Sequence, residues 1–357
     1  MNRRSKINLL ILFFLIHGSL QAQQNIYKNE MHALYKNIQK KYFQPDIDYY
    51  KEHVESNPEK KVAFVWSMAA LWQADNEVEA IDKNAELLDK DLKVINKYFD
   101  TNPPAAGYDS YPSEFGRGDR FYDDNQWLGL TAVDAYNRTR NKSYLNFAKL
   151  IYRFMMTGYD TVSGGGLYWK EGDKTTKNTC SNGPGIVLAL KLYKATKDKH
   201  YLDTALLLYK WVNKHLQDQD GLYFDNIKVK TGQIEKYKFS YNSGTMLQAN
   251  VCLYEITHDQ KYLTEAIRIA DAAEKYFYAS GKFRDDYWFN VVLLRGYQQL
   301  LNYNAGKQYI HAFQKCVDNA IRTDFNSFGL IGKLKSKNLV EQGGMLEILA
   351  RFAQIFH

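Results

Sequence analysis

Six segments of the chain are apolar nearly all round when their residues are placed on a helix. Helices without a polar face are normally buried, so this pattern predicts six inner helices. The six segments are Val62 to Trp72, Trp127 to Tyr136, Ile186 to Tyr193, Met246 to Ile256, Trp288 to Tyr297 and Met345 to Phe356.

A second kind of segment follows these apolar helices. After a short polar turn, a Tyr-Leu-like pair opens a more charged stretch with apolar residues three and four positions apart, which is typical of an amphipathic outer helix. The marker tyrosines recur at intervals of 57, 61 and 47 residues. A period near 50 residues indicates a tandem unit, here a helical hairpin. The marker residues are Tyr144, Tyr201, Tyr262 and Tyr309.

Helical patterns near 24–42 and 86–99 bring the total to six inner and six outer helices. This alternation predicts an all-α fold, an (α/α)6 toroid. An open solenoid is the structural alternative, but six pairs without an obvious polar capping repeat favour a closed ring. No linker rich in Pro, Gly or Ser divides residues 23–357, so we expect a single domain.

The loops that lead into the inner helices are rich in Gly, Asn, Asp and aromatic residues. In a closed ring these loops share one end, and a concave polar and aromatic mouth is the expected binding site. These loops are residues 107–124, 164–184, 220–244, 281–286 and 336–344.

The most informative loop ends in FYDDNQWLGL, residues 121–130, where Asp123 and Asp124 precede an apolar helix. Two neighbouring carboxylates repel each other, so burial in a cleft would raise one pKa and leave the other group ionised. A pair of this kind suits glycoside hydrolysis, in which one carboxyl protonates the leaving oxygen and the other attacks or activates water. Helix capping is the simpler alternative for an Asp at this position.

Composition narrows the class of protein further. Residues 1–22 have a basic start and a short apolar stretch, which predicts a signal peptide and export to the periplasm or the exterior. Their removal lowers the formal net charge from +7 to +4, which does not suggest a nucleic-acid partner.

Three widely spaced cysteines and the absence of a three-His or HExxH set argue against a disulfide framework or a metal site. We expect no later membrane span, no cofactor and a monomer.

Five segments together resemble glycoside hydrolase family 76, the endo-α-1,6-mannanases. The likeness covers most of the chain from Val62 to Phe356, and its segments are FYDDNQWLGL, GGGLYW (164–169), KNTCSNGP (177–184), YNSGTM (241–246) and EQGGMLEILA (341–350). The resemblance implies an (α/α)6 fold, an α-mannan substrate cut at α-1,6 linkages and a retaining mechanism without metal. It also implies that Asp123 is the nucleophile and Asp124 the general acid/base.

This chain departs from the family in two places. Trp127-Leu128 stands where members often have two aromatic residues, and the KVKTGQIEKYKF stretch before Tyr241 is long enough to reshape one rim of the cleft.

Further residues are candidates for substrate binding, each with a structural alternative. Tyr and Trp rings can stack on sugars or fill the core, and Asn, Asp and Tyr at the start of an inner helix can bind hydroxyls or shape the turn. Asp285 and Asp286 form a second acidic pair that capping of the fifth inner helix would explain. The candidates are Tyr122, Trp127, Tyr168, Trp169, Asn182, Tyr241, Asn242, Asp285 and Asp286.

Two other functions fit the same pattern. One is a different (α/α)6 polysaccharide-active enzyme, an uronyl hydrolase or a lyase, because a fold does not fix the chemistry. The other is a non-catalytic protein that binds glycans at the cell surface. The sequence leaves endo and exo action open.

Overall fold

The computed structural model describes residues 3–55, 60–83 and 86–356. Residues 1 and 2 of the predicted signal peptide lie outside the described residues, and the remainder of that segment belongs to the first helix. In chain order the helices are α1 (Arg3–Tyr42), α2 (Val65–Ile81), α3 (Leu87–Ile95), α4 (Tyr122–Thr139), α5 (Lys142–Met156), α6 (Thr179–Thr196), α7 (Lys199–His215), α8 (Ser240–Thr257), α9 (Gln260–Ala273), α10 (Tyr287–Leu300), α11 (Lys307–Thr323) and α12 (Leu339–Ile355).

The even-numbered helices form a closed inner ring. Each packs on the next, from α2 through α4, α6, α8 and α10 to α12, and α12 packs back on α2. Each odd-numbered helix packs on the outside of an inner helix. The predicted (α/α)6 toroid is therefore confirmed, and the open solenoid is excluded by the contact between α12 and α2.

Three helical hairpins share the same turn, which explains the sequence repeat. An inner helix ends at a residue with left-handed backbone, and the next residue is an Asn or Asp whose side chain accepts a hydrogen bond from the backbone N–H two positions later. The left-handed residues are Arg140, Lys197 and His258, and the caps that follow them are Asn141, Asp198 and Asp259.

The inner helices approach each other closely around α10. A Cβ added at Gly344 of α12 would lie 2.4 Å from the backbone nitrogen of Trp288, and one added at Gly244 of α8 would lie 2.7 Å from the backbone of Leu293. Any side chain at these two positions would force the helices apart. Glycine on both neighbours thus fixes α10, which carries two aromatic residues of the site.

A buried ion-pair network holds the ring together further along the inner helices. Glu347 accepts hydrogen bonds of 2.7 Å from both Arg295 and Arg351, and Arg351 also donates to Glu77 at 2.9 Å. Although burial acts to raise it, the two guanidinium groups hold the pKa of Glu347 below its usual value. Because every charge in it is paired, this network links α2, α10 and α12 without an isolated buried charge.

Among the described residues, eight short strands lie in the connections, which the predicted all-α fold did not include. DKTTKN of β6 has no alternation of apolar and polar residues, so it carries no strand signal. β5, β6, β7 and β8 form an antiparallel sheet beside the mouth. The strands are β1 (Phe43–Gln44), β2 (Tyr49–Tyr50), β3 (Phe99–Asp100), β4 (Gly107–Tyr108), β5 (Tyr168–Lys170), β6 (Asp173–Asn178), β7 (Asn226–Lys228) and β8 (Ile234–Glu235).

Several inner helices begin earlier than their apolar pattern predicts. α4 begins at Tyr122 rather than Trp127, α6 at Thr179 and α8 at Ser240. Their first turns are polar, and in α6 and α8 these polar side chains are buried. Within the described part of the chain, no helix is both long enough and apolar enough to cross a bilayer.

Candidate active site

A cavity of about 570 Å³ opens at the N-terminal ends of the inner helices. Five of the six inner helices contribute to its wall, and the four-stranded sheet forms one side. Its size and mixed aromatic and polar lining fit a small-molecule or oligosaccharide site. The lining residues are Phe64, Trp66, Ser110, Phe121, Asp123, Asp124, Trp127, Trp169, Asp173, Thr175, Thr176, Asn178, Cys180, Asp225, Asn226, Phe239, Tyr241, Trp288 and Phe289.

Asp123 and Asp124 lie in the first turn of α4 and both line this cavity. The indole N–H of Trp169 donates a hydrogen bond of 3.3 Å to Oδ2 of Asp123. Oδ1 of Asp123 is buried and has no hydrogen-bond partner among the described residues. Because Asp123 lines the cavity, its carboxyl group lies beside the space that a ligand would occupy.

The two carboxyls differ in proton affinity. Burial raises the pKa of Asp123 to about 6, against the lowering effect of the Cys180 thiol and the Trp169 indole. Burial and the adjacent charge of Asp123 raise the pKa of Asp124 well above its usual value. Burial raises the pKa of both groups, and the charge of Asp123 raises that of Asp124 further, so Asp124 is the one that holds its proton more strongly.

Aromatic rings form much of the cavity wall. The Trp127 and Trp288 rings meet edge to face with centroids 4.8 Å apart, and Trp66 meets Trp288 at 5.4 Å. On the opposite rim, the Trp169 ring lies 4.9 Å from Phe121. The predicted positions of Trp127, Trp169 and Tyr241 in the mouth agree with the structure. Trp66, which lies in the first segment predicted as an inner helix, also lines the cavity.

Eight polar lining residues were not predicted as site residues: Ser110, Asp173, Thr175, Thr176, Asn178, Cys180, Asp225 and Asn226. Asn226 of β7 pairs with Asn178 of β6, and this register brings Asp225 to the cavity. Burial raises the pKa of Asp225, while the amides of Asn226 and Asn242 lower it. The adjacent Asp225 and Asn226 in a mouth loop are only a weak signal of a binding site, because the strand pairing that places them has no sequence signature.

Tyr122 and Tyr168 are not among the residues that line the cavity. The Tyr122 ring packs 5.2 Å from Phe154, and its hydroxyl lies 3.3 Å from that of Thr157. Tyr168 precedes Trp169 on β5 and therefore points to the opposite face, where its hydroxyl donates to Asp160 at 2.8 Å. Their predicted substrate contacts gain no support from these placements.

Asn182 and Asn242 are fully buried and also absent from the cavity wall. The Asn182 side chain accepts from the Leu167 backbone N–H at 2.7 Å and donates to the carbonyls of Leu167 and Asn178. It therefore fastens the start of α6 to the sheet. The Asn242 amide lowers the pKa of Asp225, which lines the cavity.

Asp285 and Asp286 lie outside the cavity wall as well. Oδ2 of Asp285 accepts a hydrogen bond of 2.6 Å from the backbone N–H of Ser240, the first residue of α8. Asp286 is exposed at the N-cap of α10, yet its side chain makes no capping bond, and Oε2 of Glu341 accepts from the Tyr287 N–H instead. Asp285 therefore supports the start of α8, and the Asp286 side chain does not cap α10 as the sequence suggested.

In the part of the chain that the structure describes, no three His, Cys, Asp or Glu side chains are grouped to hold a metal ion. That the reaction needs neither a metal nor a cofactor stays a prediction.

The closed ring of six helical hairpins, with paired carboxyls in an aromatic cavity at its mouth, defines an (α/α)6 toroid with a carbohydrate-type site. The family model described as "Glycosyl hydrolase family 76" matches residues 25–313, and the chain belongs to this family.

Solved structures and curated proteins agree with that membership. An α-mannanase of family 76 from Bacteroides thetaiotaomicron is 26% identical, with a TM-score of 0.86 over 92% of this chain and 96% of that one. A family 76 mannosidase from the same organism is 29% identical, with a TM-score of 0.83 over 92% and 98% of the two chains. A mannan endo-1,6-alpha-mannosidase of Candida albicans is 28% identical over 43% of this chain. That match spans only 38% of the curated relative's length.

Proposed function

We propose that this protein is a retaining glycoside hydrolase that cleaves α-1,6-mannosidic linkages in α-mannan. The observation that carries the proposal is the pair of adjacent carboxyls that line one cavity, in which burial and the charge of Asp123 raise the pKa of Asp124. The substrate class is supported by the relatives, since the Bacteroides protein is described as an α-mannanase and the Candida protein as a mannan endo-1,6-alpha-mannosidase.

In the first step, Asp123 attacks the anomeric carbon while Asp124 gives its proton to the departing glycosidic oxygen. The bond to the leaving sugar breaks, and a mannosyl ester forms on Asp123. In the second step, Asp124, now ionised, takes a proton from water, and the water oxygen attacks the anomeric carbon. The ester bond breaks, Asp123 is released as a carboxylate, and the product keeps its anomeric configuration.

The surrounding residues support both steps. The Trp169 indole N–H donates to Oδ2 of Asp123 and so orients this carboxyl at the cavity wall. Trp127 and Trp288 offer apolar ring surface to the C–H faces of a sugar. Asp225 and Asn226 supply acceptors and donors for its hydroxyls.

Incubation with a linear α-1,6-mannan, followed by mass analysis and by NMR of the first-formed anomer, tests this function. We expect shorter mannose oligosaccharides whose new reducing ends begin as the α-anomer. Products that absorb in the ultraviolet would indicate a lyase, and tight binding without new reducing ends would indicate a binding protein. Either result contradicts the proposal.

We also propose that residues 1–22 direct export of the protein. Their basic start and apolar stretch support this role. Expression of the full chain in a Gram-negative host should give a processed protein outside the cytoplasm, as shown by N-terminal sequencing of each cell fraction. An unprocessed chain confined to the cytoplasm would contradict it.

A further inference from the structure

A row of aromatic rings leads from the cavity wall to the protein surface. Neighbouring centroids are 5.9 Å apart for Trp288 and Tyr241, 4.3 Å for Tyr241 and Phe289, 5.4 Å for Phe289 and Phe239, and 4.4 Å for Phe239 and Tyr237. The first four residues line the cavity. The row therefore continues the cavity outward without a break.

Exposure increases along this row. Trp288 and Tyr241 are buried, Phe289 and Phe239 are half-buried, and Tyr237 at the outer end is 48% exposed. An exposed Tyr is common at a protein surface and needs no explanation by itself. Tyr237 packs at a tilt of 47° against Phe239, the outer ring of a row that ends beside Asp123 and Asp124, and so extends the apolar surface of the site outward.

The segment that carries Tyr237 and Phe239 is anchored from its other side. Lys238 lies between them, is only 8% exposed, and donates a hydrogen bond of 2.7 Å to Asp220 and another to Asp218. Its ammonium group also lies 5.3 Å from the centroid of the Phe224 ring. In this extended stretch alternate side chains point to opposite faces, so burial of Lys238 presents the two rings outward.

The sheet fixes the same segment from its N-terminal side. β8 ends two residues before Tyr237 and pairs with β7, and β7 pairs with β6, which lines the cavity. A platform held in this way loses little conformational freedom when a ligand binds.

We propose that Tyr237 and Phe239 form a distal sugar-binding platform that holds a mannose unit of the same chain beyond those in the catalytic cavity. This inference rests on the proposed function, because continuity with the cavity identifies the occupant as the substrate chain. Sugars present flat C–H faces that stack on exposed rings, and the neighbouring polar surface leaves their hydroxyls in water. The platform favours long chains over short ones.

The test compares Tyr237→Ala and Tyr237→Phe with the unchanged protein on α-1,6-mannose oligosaccharides of increasing length and on an aryl α-mannoside. Loss of the ring should lower kcat/KM for the long oligosaccharides about 3- to 10-fold, mainly through KM. Turnover of the aryl mannoside should not change. Tyr237→Phe keeps the ring and should behave like the unchanged protein. Leu207→Ala, at an exposed position on outer helix α7, is the matched control.

An equal effect of Tyr237→Ala on short and long substrates, or no effect on either, would overturn the platform while leaving the proposed function intact. Failure of the unchanged protein to cleave any mannan would instead contradict the proposed function. In that case, calorimetric titration with the same oligosaccharides tests the platform alone. Weaker binding of long chains by Tyr237→Ala supports it, and unchanged binding overturns it.

Discussion

The chain contains two Asp-Asp pairs at the starts of inner helices, and the structure uses them in opposite ways. α4 begins one residue before Asp123, so its pair lies inside the first turn and faces the cavity. α10 begins after Asp286, so the second pair lies outside that helix, where Asp285 binds the Ser240 N–H and Asp286 faces solvent. The same dipeptide thus becomes a site or a structural support according to where the helix begins.

The two pairs also differ in their hydrogen bonds and in the causes of their pKa shifts. In the first pair, Oδ1 of Asp123 is buried without a partner among the described residues, and the pKa of Asp124 is raised well above its usual value by burial and by Asp123. In the second, burial raises the pKa of Asp285, but hydrogen bonds from Ser240 lower it. Satisfied carboxylates stabilise a fold, whereas unsatisfied ones in a cavity remain available for chemistry.

The largest expected effect comes from Asp123→Asn, which removes the nucleophile and should lower kcat on α-1,6-mannan about 10⁴-fold or more. Asp286→Asn is the matched change in the exposed pair and should leave kcat unchanged. Thermal unfolding of both variants should resemble that of the parent. Comparable activity in the two variants would remove the distinction between the pairs.

Asp124→Asn comes next, because it removes the proton donor but keeps the nucleophile. We expect kcat on mannan to fall about 10²- to 10⁴-fold, with a much smaller loss on aryl mannosides whose leaving groups need no proton. Kinetics on a series of aryl mannosides measures this difference. Equal losses across the series would contradict the acid role of Asp124.

Asp285→Ala should affect stability rather than chemistry. It leaves the Ser240 N–H at the start of α8 without its acceptor, which we expect to cost about 1–2 kcal/mol of the free energy of unfolding. Urea denaturation measures this loss, and Asp286→Ala is the control because its side chain makes no capping bond. A loss of kcat in the folded Asp285→Ala protein would instead place the second pair in the reaction.

The pH dependence of kcat/KM should follow the ionisation of Asp123 and Asp124 and not that of the second pair. Protonation of Asp123 removes the nucleophile, so activity should fall as the pH drops through about 6. Loss of the proton from Asp124 should reduce activity at higher pH. Asp286→Asn should leave both limbs in place, and an acid limb that moves in this variant would contradict the assignment.

The smallest expected effect is a shift of the acid limb in Cys180→Ala. The thiol lowers the pKa of Asp123, so its removal should raise that pKa and move the acid limb to higher pH. Cys252→Ala, a buried cysteine on α8, is the control. An acid limb that stays in place or moves to lower pH would show that Cys180 does not act on Asp123.

The sequence was sufficient to predict the ring and the location of the mouth. Apolar segments mark helices that are buried on all sides, and the Tyr-Leu-like pairs mark the outer partners. The alternation of inner and outer helices can therefore be predicted without any knowledge of contacts. The sequence was less informative at the first turns of α4, α6 and α8, because their polar residues resemble those of a loop.

Site residues whose position depends on the pairing of strands or on contacts between distant segments could not be predicted from the sequence. Tyr168 and Trp169 are adjacent, but strand alternation sends only Trp169 to the cavity. Asp225 reaches the site through the register of β6 and β7. Asn182 and Asp285 are of residue types that often bind ligands, yet their side chains form hydrogen bonds with the backbone of neighbouring elements.

The most direct measurement is mass analysis of the protein after brief reaction with a fluorinated α-mannosyl donor that forms the ester faster than it is hydrolysed. We expect one mannosyl group, located by peptide mapping on Asp123, and none in the Asp123→Asn variant. A label on any other residue, or turnover of mannan that releases the inverted anomer without a label, would contradict the assignment of Asp123 as the nucleophile.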